Sequence, residues 1–279
     1  MSRIQDHKVL VLIQGPIYDY HHASLISKQV KKIFKNLNPN TLILQSHSSD
    51  FFSKINYTNK NLFLVKIKDP GSSVIEPIRK VQFNLDRQLS TSSSSRIIKS
   101  DVDIVIKMRS DLFISFLGFF AIKIIIKNWN LFKNYVAVVP ITTTNPLDLR
   151  YPLFQVCDWF YLMDSKRYST VFSFYSSSDK IEKKLYVKNT QKLLFGAENF
   201  ICLKLLKASG EKIKPIDMWD NSFRDIWLHL FKKYFIVLPY YGFFKSIKYK
   251  RTYKNLYHSY GFGLGVRFYL KTIKALFKC

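Results

Sequence analysis

What this chain has little of narrows its class first. Its three cysteines, Cys157, Cys202 and Cys279, make no CxxC pair. That excludes the disulfide framework of a small secreted domain and the ligand spacing of a zinc ribbon, and scattered thiols suit a reducing cytoplasm. Glycine and proline number 9 each, too few for a collagen-like or low-complexity chain. The longest apolar run, residues 113–126, is interrupted by Lys123 and falls short of the roughly 18 to 20 residues that cross a bilayer. It reads as a buried helix or a strand followed by a helix. Residues 1–15 offer only the apolar run 9–13, too short for the core of a signal peptide, so no export is expected. The signatures of P-loop proteins, α/β-hydrolases and zincins are absent, and the six histidines show no metal-ligand spacing.

Acidic residues are scarce as well. Nineteen Asp and Glu face 44 Lys and Arg, a net charge of +25, which draws a protein toward nucleic acid, acidic lipid or nucleotide phosphates. A general richness in Lys, Asn, Ile and Tyr accounts for part of the excess. The stretch 231–279 is different: it carries eleven Lys and Arg, no Asp or Glu, and aromatics such as Phe235, Tyr240, Tyr249, Tyr257 and Phe268 throughout. Aromatics among cations suit an anionic lipid interface. The same mixture stacks on single-stranded nucleic acid, so a membrane surface is the expected partner and nucleic acid the alternative.

What is present is enough for a substantial core, since 47% of the 279 residues are hydrophobic. Residues 8–13 form a continuous β-rich run ending in Gln14-Gly15-Pro16, and apolar residues at helical spacing follow over 22–34. Residues 41–45, 62–67, 103–106, 136–140 and 159–163 are further strand candidates, and 192–208 and 225–235 are helix candidates, with a partly helical stretch within 77–100. This alternation predicts an α/β fold with a mostly parallel sheet flanked by helices. The Ser-, Tyr- and Phe-rich stretch 168–178 reads as a surface loop, which is also the plain alternative for the serine run 90–95 within the partly helical stretch.

Six ordered blocks carry a resemblance: Ile13-Gln-Gly-Pro-Ile17, Asp69-Pro-Gly71, Asn84-Leu-Asp-Arg-Gln-Leu-Ser-Thr91, Ile106-Lys-Met-Arg-Ser-Asp-Leu112, Cys157-Asp-Trp-Phe160 and Ala197-Glu-Asn-Phe200. In this order they resemble the WavE lipopolysaccharide synthesis family, over residues 8–205. The resemblance implies a nucleotide-diphospho-sugar transferase (GT-A) fold and sugar transfer to a surface glycan. Such a fold sets a short acidic motif after a core strand, where carboxylates hold a divalent cation, Mn²⁺ or Mg²⁺, against the donor diphosphate. Asp111 occupies that place. The usual motif has two aspartates flanking one residue, whereas this chain reads Arg109-Ser110-Asp111, which leaves metal dependence open.

The residues themselves point the same way. Lys107 and Arg109 are suited to neutralise phosphate, with Asp111 on a metal or a sugar hydroxyl, or else tied up in a strand-end salt bridge. Arg87, Gln88, Ser90 and Thr91 offer a fork and neutral donors for phosphate or ribose, or else cap a helix. Gln14, Gly15 and Pro16 follow the first strand, where Gly15 permits close backbone approach to a nucleotide base or simply makes a tight turn. Asp69 begins a turn and is also placed to touch nucleotide or acceptor. For the base that deprotonates an acceptor hydroxyl the candidates are Asp158, beside Trp159 and Tyr161 as a sugar platform, and Glu198, at a helix start where the dipole also favours an acid.

The expectation is therefore a GT-A-like domain over residues 1–230 and a basic, aromatic extension over 231–279. It would transfer sugar from a nucleotide-sugar donor to a lipid-linked or lipopolysaccharide acceptor. Its expected place is cytoplasmic and peripheral, on the inner face of the cytoplasmic membrane. The competing expectations are a non-catalytic nucleic-acid-binding protein and a degenerate transferase acting as a scaffold.

Overall fold

The computed structural model describes residues 7–47, 50–71, 74–76, 81–83, 85–93, 101–139, 143, 153–172, 197–213, 220–238 and 242–246. The first half runs β1 (Val9–Gln14), α1 (Tyr20–Leu37), β2 (Thr41–Ser46), β3 (Leu62–Lys66), β4 (Val74–Glu76), β5 (Val81–Phe83) and α2 (Leu85–Ser92). After it come β6 (Ile104–Arg109), β7 (Leu112–Ile114), α3 (Phe116–Lys127), α4 (Trp129–Phe132), β8 (Val136–Val138) and β9 (Phe160–Asp164). The last elements are α5 (Ser165–Phe172), α6 (Ala197–Ala208), α7 (Arg224–Tyr234), β10 (Phe235–Val237) and β11 (Phe244–Ser246).

One seven-stranded sheet has the order β10-β8-β9-β6-β1-β2-β3. Neighbours are parallel except at β9, which runs antiparallel to both β6 and β8. The central strands read as unbroken apolar runs because both faces are covered. Strand alternation divides them: Val9, Val11 and Ile13 of β1 pack with Ile106 and Met108 of β6 against α1, α3 and α4. On the opposite face Leu10, Leu12 and Val105 pack with α2, α5, α6 and α7. The α/β fold, with a mostly parallel sheet flanked by helices, is as the sequence indicates.

Local chemistry sets the helix ends. Asp19 caps α1 by accepting the backbone N–H of His22 at 2.7 Å, and Asn38 ends the helix in the left-handed region at φ 44°. Ser115 caps α3 by accepting the N–H of Gly118. Gly118 is required because a Cβ there would lie 2.3 Å from the carbonyl oxygen of Phe243, where the chain entering β11 crosses α3 to pair antiparallel with β7.

Two expectations are corrected. Residues 168–172 belong to α5, whose Tyr168, Val171 and Phe172 are buried; alternating polar and aromatic residues make an amphipathic turn and a half, not a loop. The partly helical reading of 77–100 holds at α2, which takes in residues 90–92 of the serine run with Thr91 and Ser92 buried. The chain also stays with the sheet beyond residue 230: α7 continues to Tyr234, β10 pairs in parallel with β8, and Phe231 and Phe235 are core residues. The boundary drawn after Leu230 falls inside α7. The expected extension beyond residue 246, the first part of the helix at 192–208 and residues 173–178 lie outside the described residues.

Candidate active site

In this strand order β1 continues through α1 to β2 on one side, while β6 joins it on the other. The chain direction across the sheet therefore reverses between β1 and β6, and the carboxyl ends of strands at such a reversal are where open α/β sheets bind ligands in a crevice. Gln14-Gly15-Pro16 leaves β1 at that point, and Arg109-Ser110-Asp111 leaves β6.

The two loops are locked together. Ser110 donates its backbone N–H to Gln14 O at 2.7 Å and its hydroxyl to Pro16 O at 2.7 Å. A Cβ on Gly15, at φ 129°, would stand 2.9 Å from Ser110 Oγ. The close approach that requires glycine is thus to Ser110, within the protein. His22 completes the latch. Its Nδ1 accepts from Tyr18 N–H at 3.3 Å, so Nε2 carries the proton donated to Ser110 O at 3.0 Å.

Alternation along β6 sends Lys107 to the α2 and α6 side, where it is 1% exposed. Its ammonium donates to the carbonyl of Asp158 and lies 5.1 Å above the Tyr161 ring, its cross-strand partner. Gln14, with its amide oriented to suit its neighbours, accepts from Lys107 Nζ at 3.1 Å and donates to Ser92 Oγ at 2.7 Å. Burial pushes the Lys107 ammonium down to about 8, against the pull of Asp158.

Asp158 is 1% exposed, and its Oδ2 has no hydrogen-bond partner among the described residues, nor has the buried Tyr161 hydroxyl. Burial raises the Tyr161 hydroxyl further, with Asp158 adding to the effect. Glu198 lies in the first turn of α6. Burial, and then the charge of Asp158, push its carboxyl up to about 7, while Arg109 and Lys107 oppose. Hydrogen bonds join Gln14, Lys107 and the Asp158 carbonyl, and Glu198 feels the charges of Lys107 and Asp158.

Arg109 and Asp111 behave differently from the metal-site expectation. Arg109 donates to both carboxylate oxygens of Asp111 at 2.9 Å each, with Asp111 1% exposed. The guanidinium also stacks on Trp159 at 4.3 Å. Burial alone would lower the Arg109 pKa; the carboxylates of Asp111 and Asp158 outweigh it and hold it raised. Among the described residues no group of three or more His, Cys, Asp or Glu stands ready for a cation. A carboxylate with both oxygens filled by a guanidinium does not fit a divalent-cation ligand, so the assignment of Asp111 to metal is corrected to an ion pair. The sugar-platform reading of Trp159 and Tyr161 is corrected too: both rings lie under cations.

The remaining candidates gather beside β2. Arg87 donates to Asp69 through Nε at 2.8 Å and Nη2 at 2.9 Å. That bond, foremost, holds the Asp69 carboxyl below its usual range and the Arg87 guanidinium above its own. Ser90 and Thr91 hydroxyls bond back to Arg87 O at 3.1 and 2.7 Å inside α2, rather than capping it. Gln45 donates to Ser90 O at 3.3 Å. Around this group Gln45 Oε1, Gln88 Oε1 and both ring nitrogens of His47 are buried without a partner among the described residues. Gln45, His47 and Ser92 escaped the sequence reading. Gln45 and His47 flank the end of a strand candidate, the only signal that marked them.

No family model matches the chain, and no curated protein matches it. Among solved structures, the glycosyltransferase GlyE of Streptococcus pneumoniae TIGR4 shares 15% identity over 71% of this chain at a TM-score of 0.37. LgtC, a galactosyltransferase in complex with donor and acceptor sugar analogues, shares 9% over 71% at 0.40. The mannosyltransferase PcManGT of Pyrobaculum calidifontis, in complex with GDP-Man and Mn²⁺, shares 10% over 62% at 0.38. The chain spans 43% of GlyE, 70% of LgtC and 49% of PcManGT. These overlaps are too slight to carry an activity from those proteins to this chain.

Proposed function

We propose that this chain is a GT-A-type glycosyltransferase that moves a sugar from a nucleotide-sugar donor to a lipid-linked or lipopolysaccharide acceptor. The observation that carries the reading is the pair of buried groups Lys107 and Asp158 with the half-buried Glu198 near the switch point of the sheet, drawn from three of the six sequence blocks. Sugar transfer needs an acid–base group at the reacting hydroxyl and positive charge at the leaving diphosphate. Glu198 holds or releases a proton near neutrality, and Asp158 Oδ2 is an unfilled acceptor; these two are the catalytic carboxylates of the proposal. Lys107 supplies the cation on the phosphate side. Gln14, Gly15, Pro16, Asp69, Arg87, Gln88, Ser90, Thr91, Arg109 and Asp111 frame the donor site, and the unfilled atoms of Gln45, His47 and Gln88 offer polar partners to a nucleotide. The protein works at the inner face of the cytoplasmic membrane, where its acceptor's lipid resides.

Purified protein is titrated with UDP, GDP, CDP and dTDP, each with and without Mg²⁺ or Mn²⁺, while its thermal midpoint is followed. A ligand at about 100 times its Kd stabilises the folded state by about 2.7 kcal/mol. The expected result is a rise of several degrees with one nucleoside diphosphate, lost in Lys107→Met. Equal midpoints with every nucleotide would contradict the proposal.

A further inference from the structure

The two helical layers share neither charge nor surface character. α1 and α3–α4 contain no Asp or Glu, and the exposed cations Lys28, Lys31, Lys32, Lys35 and Lys127 stand on them. Of the eight exposed large apolar residues among the described residues, six lie on or at the start of this same layer: Tyr18, Tyr20, Phe116, Leu117, Phe120 and Leu131. Phe116 is 80% exposed and Phe120 55%, one helical turn apart on α3. Folding does not require this, since α3 already buries Phe119, Ile122, Ile125 and Ile126 against the sheet.

Position adds to composition. α1 starts just past the carboxyl end of β1, and α3 starts five residues after Asp111, at most about 18 Å of chain from the crevice. The turn at Gly242 touches the layer too: a Cβ there would meet Leu117 Cδ1 at 3.5 Å, and exposed Lys245 lies opposite Phe113 in the β7–β11 pair. Beyond it the sequence remains acid-free to Cys279. Exposed aromatic and aliphatic side chains on a layer that carries five exposed lysines, with Asp19 at the cap of α1 as the acid beside Tyr18 and Tyr20, match the boundary between acyl chains and anionic headgroups. A second copy of this chain would set lysine against lysine on that layer. A polynucleotide would leave Leu117 and Leu131 without a counterpart.

We infer that the α1/α3 rim beside the crevice docks on an anionic bilayer surface, inserting Phe116, Leu117 and Phe120. Its purpose rests on the transferase reading, since docking there brings the mouth of the site to a lipid-borne acceptor, but its evidence does not. No helix among the described residues is long and apolar enough to cross a membrane, and the contact proposed is peripheral.

The test uses the full chain with sedimenting vesicles of phosphatidylcholine alone or with phosphatidylglycerol. The parent binds the anionic vesicles, and Phe116→Ser with Phe120→Ser weakens binding by about tenfold while thermal midpoint and nucleotide response stay unchanged. A single Phe116→Trp variant gains a blue-shifted emission component on anionic vesicles that the parent lacks. Unchanged vesicle binding by the double Ser variant overturns the inference. So does a parent that is dimeric without lipid and becomes monomeric on the same substitutions. Failure of the nucleotide titration with these results intact would sink the transferase reading alone.

Discussion

The layer of α1, α3 and α4 and the layer of α2, α5, α6 and α7 cover the same sheet with opposite economies of charge. The helices of the first hold no acid beyond the Asp19 cap and leave Tyr20, Phe116 and Phe120 exposed, while Phe34, Phe119, Trp129 and Phe132 are buried. The second keeps its aromatics inside, with Phe154, Trp227, Phe231 and Phe235 in ring contacts, and it receives the buried Lys107 and Asp158 and the half-buried Glu198. Lys107 is on that side because β6 alternates, and Glu198 because α6 begins at the same crevice. One face of the sheet thus holds chemistry, and the other offers a surface.

The sharpest way to break this contrast is to truncate one aromatic in each layer. Trp227→Ala, at a fully buried position, is expected to cost about 3 to 5 kcal/mol in urea unfolding. Phe120→Ser should change stability by less than about 0.5 kcal/mol. Comparable losses would mean that the exposed layer is core after all.

Asp111→Ala tests the corrected role of that residue. It leaves the Arg109 guanidinium without its main partner, and a loss of about 3 kcal/mol is expected in the same unfolding assay. An unaffected midpoint would return Asp111 to the ligand-facing role.

A smaller effect sharpens the charged layer. The folded pKa of Glu198 is raised above its unfolded value, so the folded state binds more protons than the unfolded state across the interval up to about 7. Stability is then full below the ordinary carboxylate range and falls as pH rises to about 7. Glu198→Gln removes that fall: the variant should gain roughly 1 to 3 kcal/mol over the parent at pH 8 and nothing at pH 4. Parallel stability profiles would show that the carboxyl is not held in its neutral form.

The central strands and most helices were legible because each is signalled locally: unbroken apolar runs for β1 and β6, helical spacing for α1. α5 was not, because its three buried residues make too short a period to outvote its serines. The site was legible as separate blocks. The register of β6 against β9 sets Lys107 over Tyr161, and neither strand encodes its partner. For the same reason the filling of both rings by cations emerged only once the strands were side by side, whereas the pairing of Arg109 with Asp111, two residues apart, was already legible as the strand-end salt bridge. The role of Gly118 depends on a contact with Phe243, more than a hundred residues away.

The account turns on Asp158 and Glu198 acting at a sugar donor. The direct measurement is release of nucleoside diphosphate from a panel of nucleotide sugars, by the parent and by Asp158→Asn, with thermal midpoints compared. Turnover of one donor by the parent, reduced about 10²- to 10⁴-fold in Asp158→Asn at an unchanged midpoint, is the predicted result. Equal turnover by both proteins would contradict the assignment of the crevice as the site of transfer.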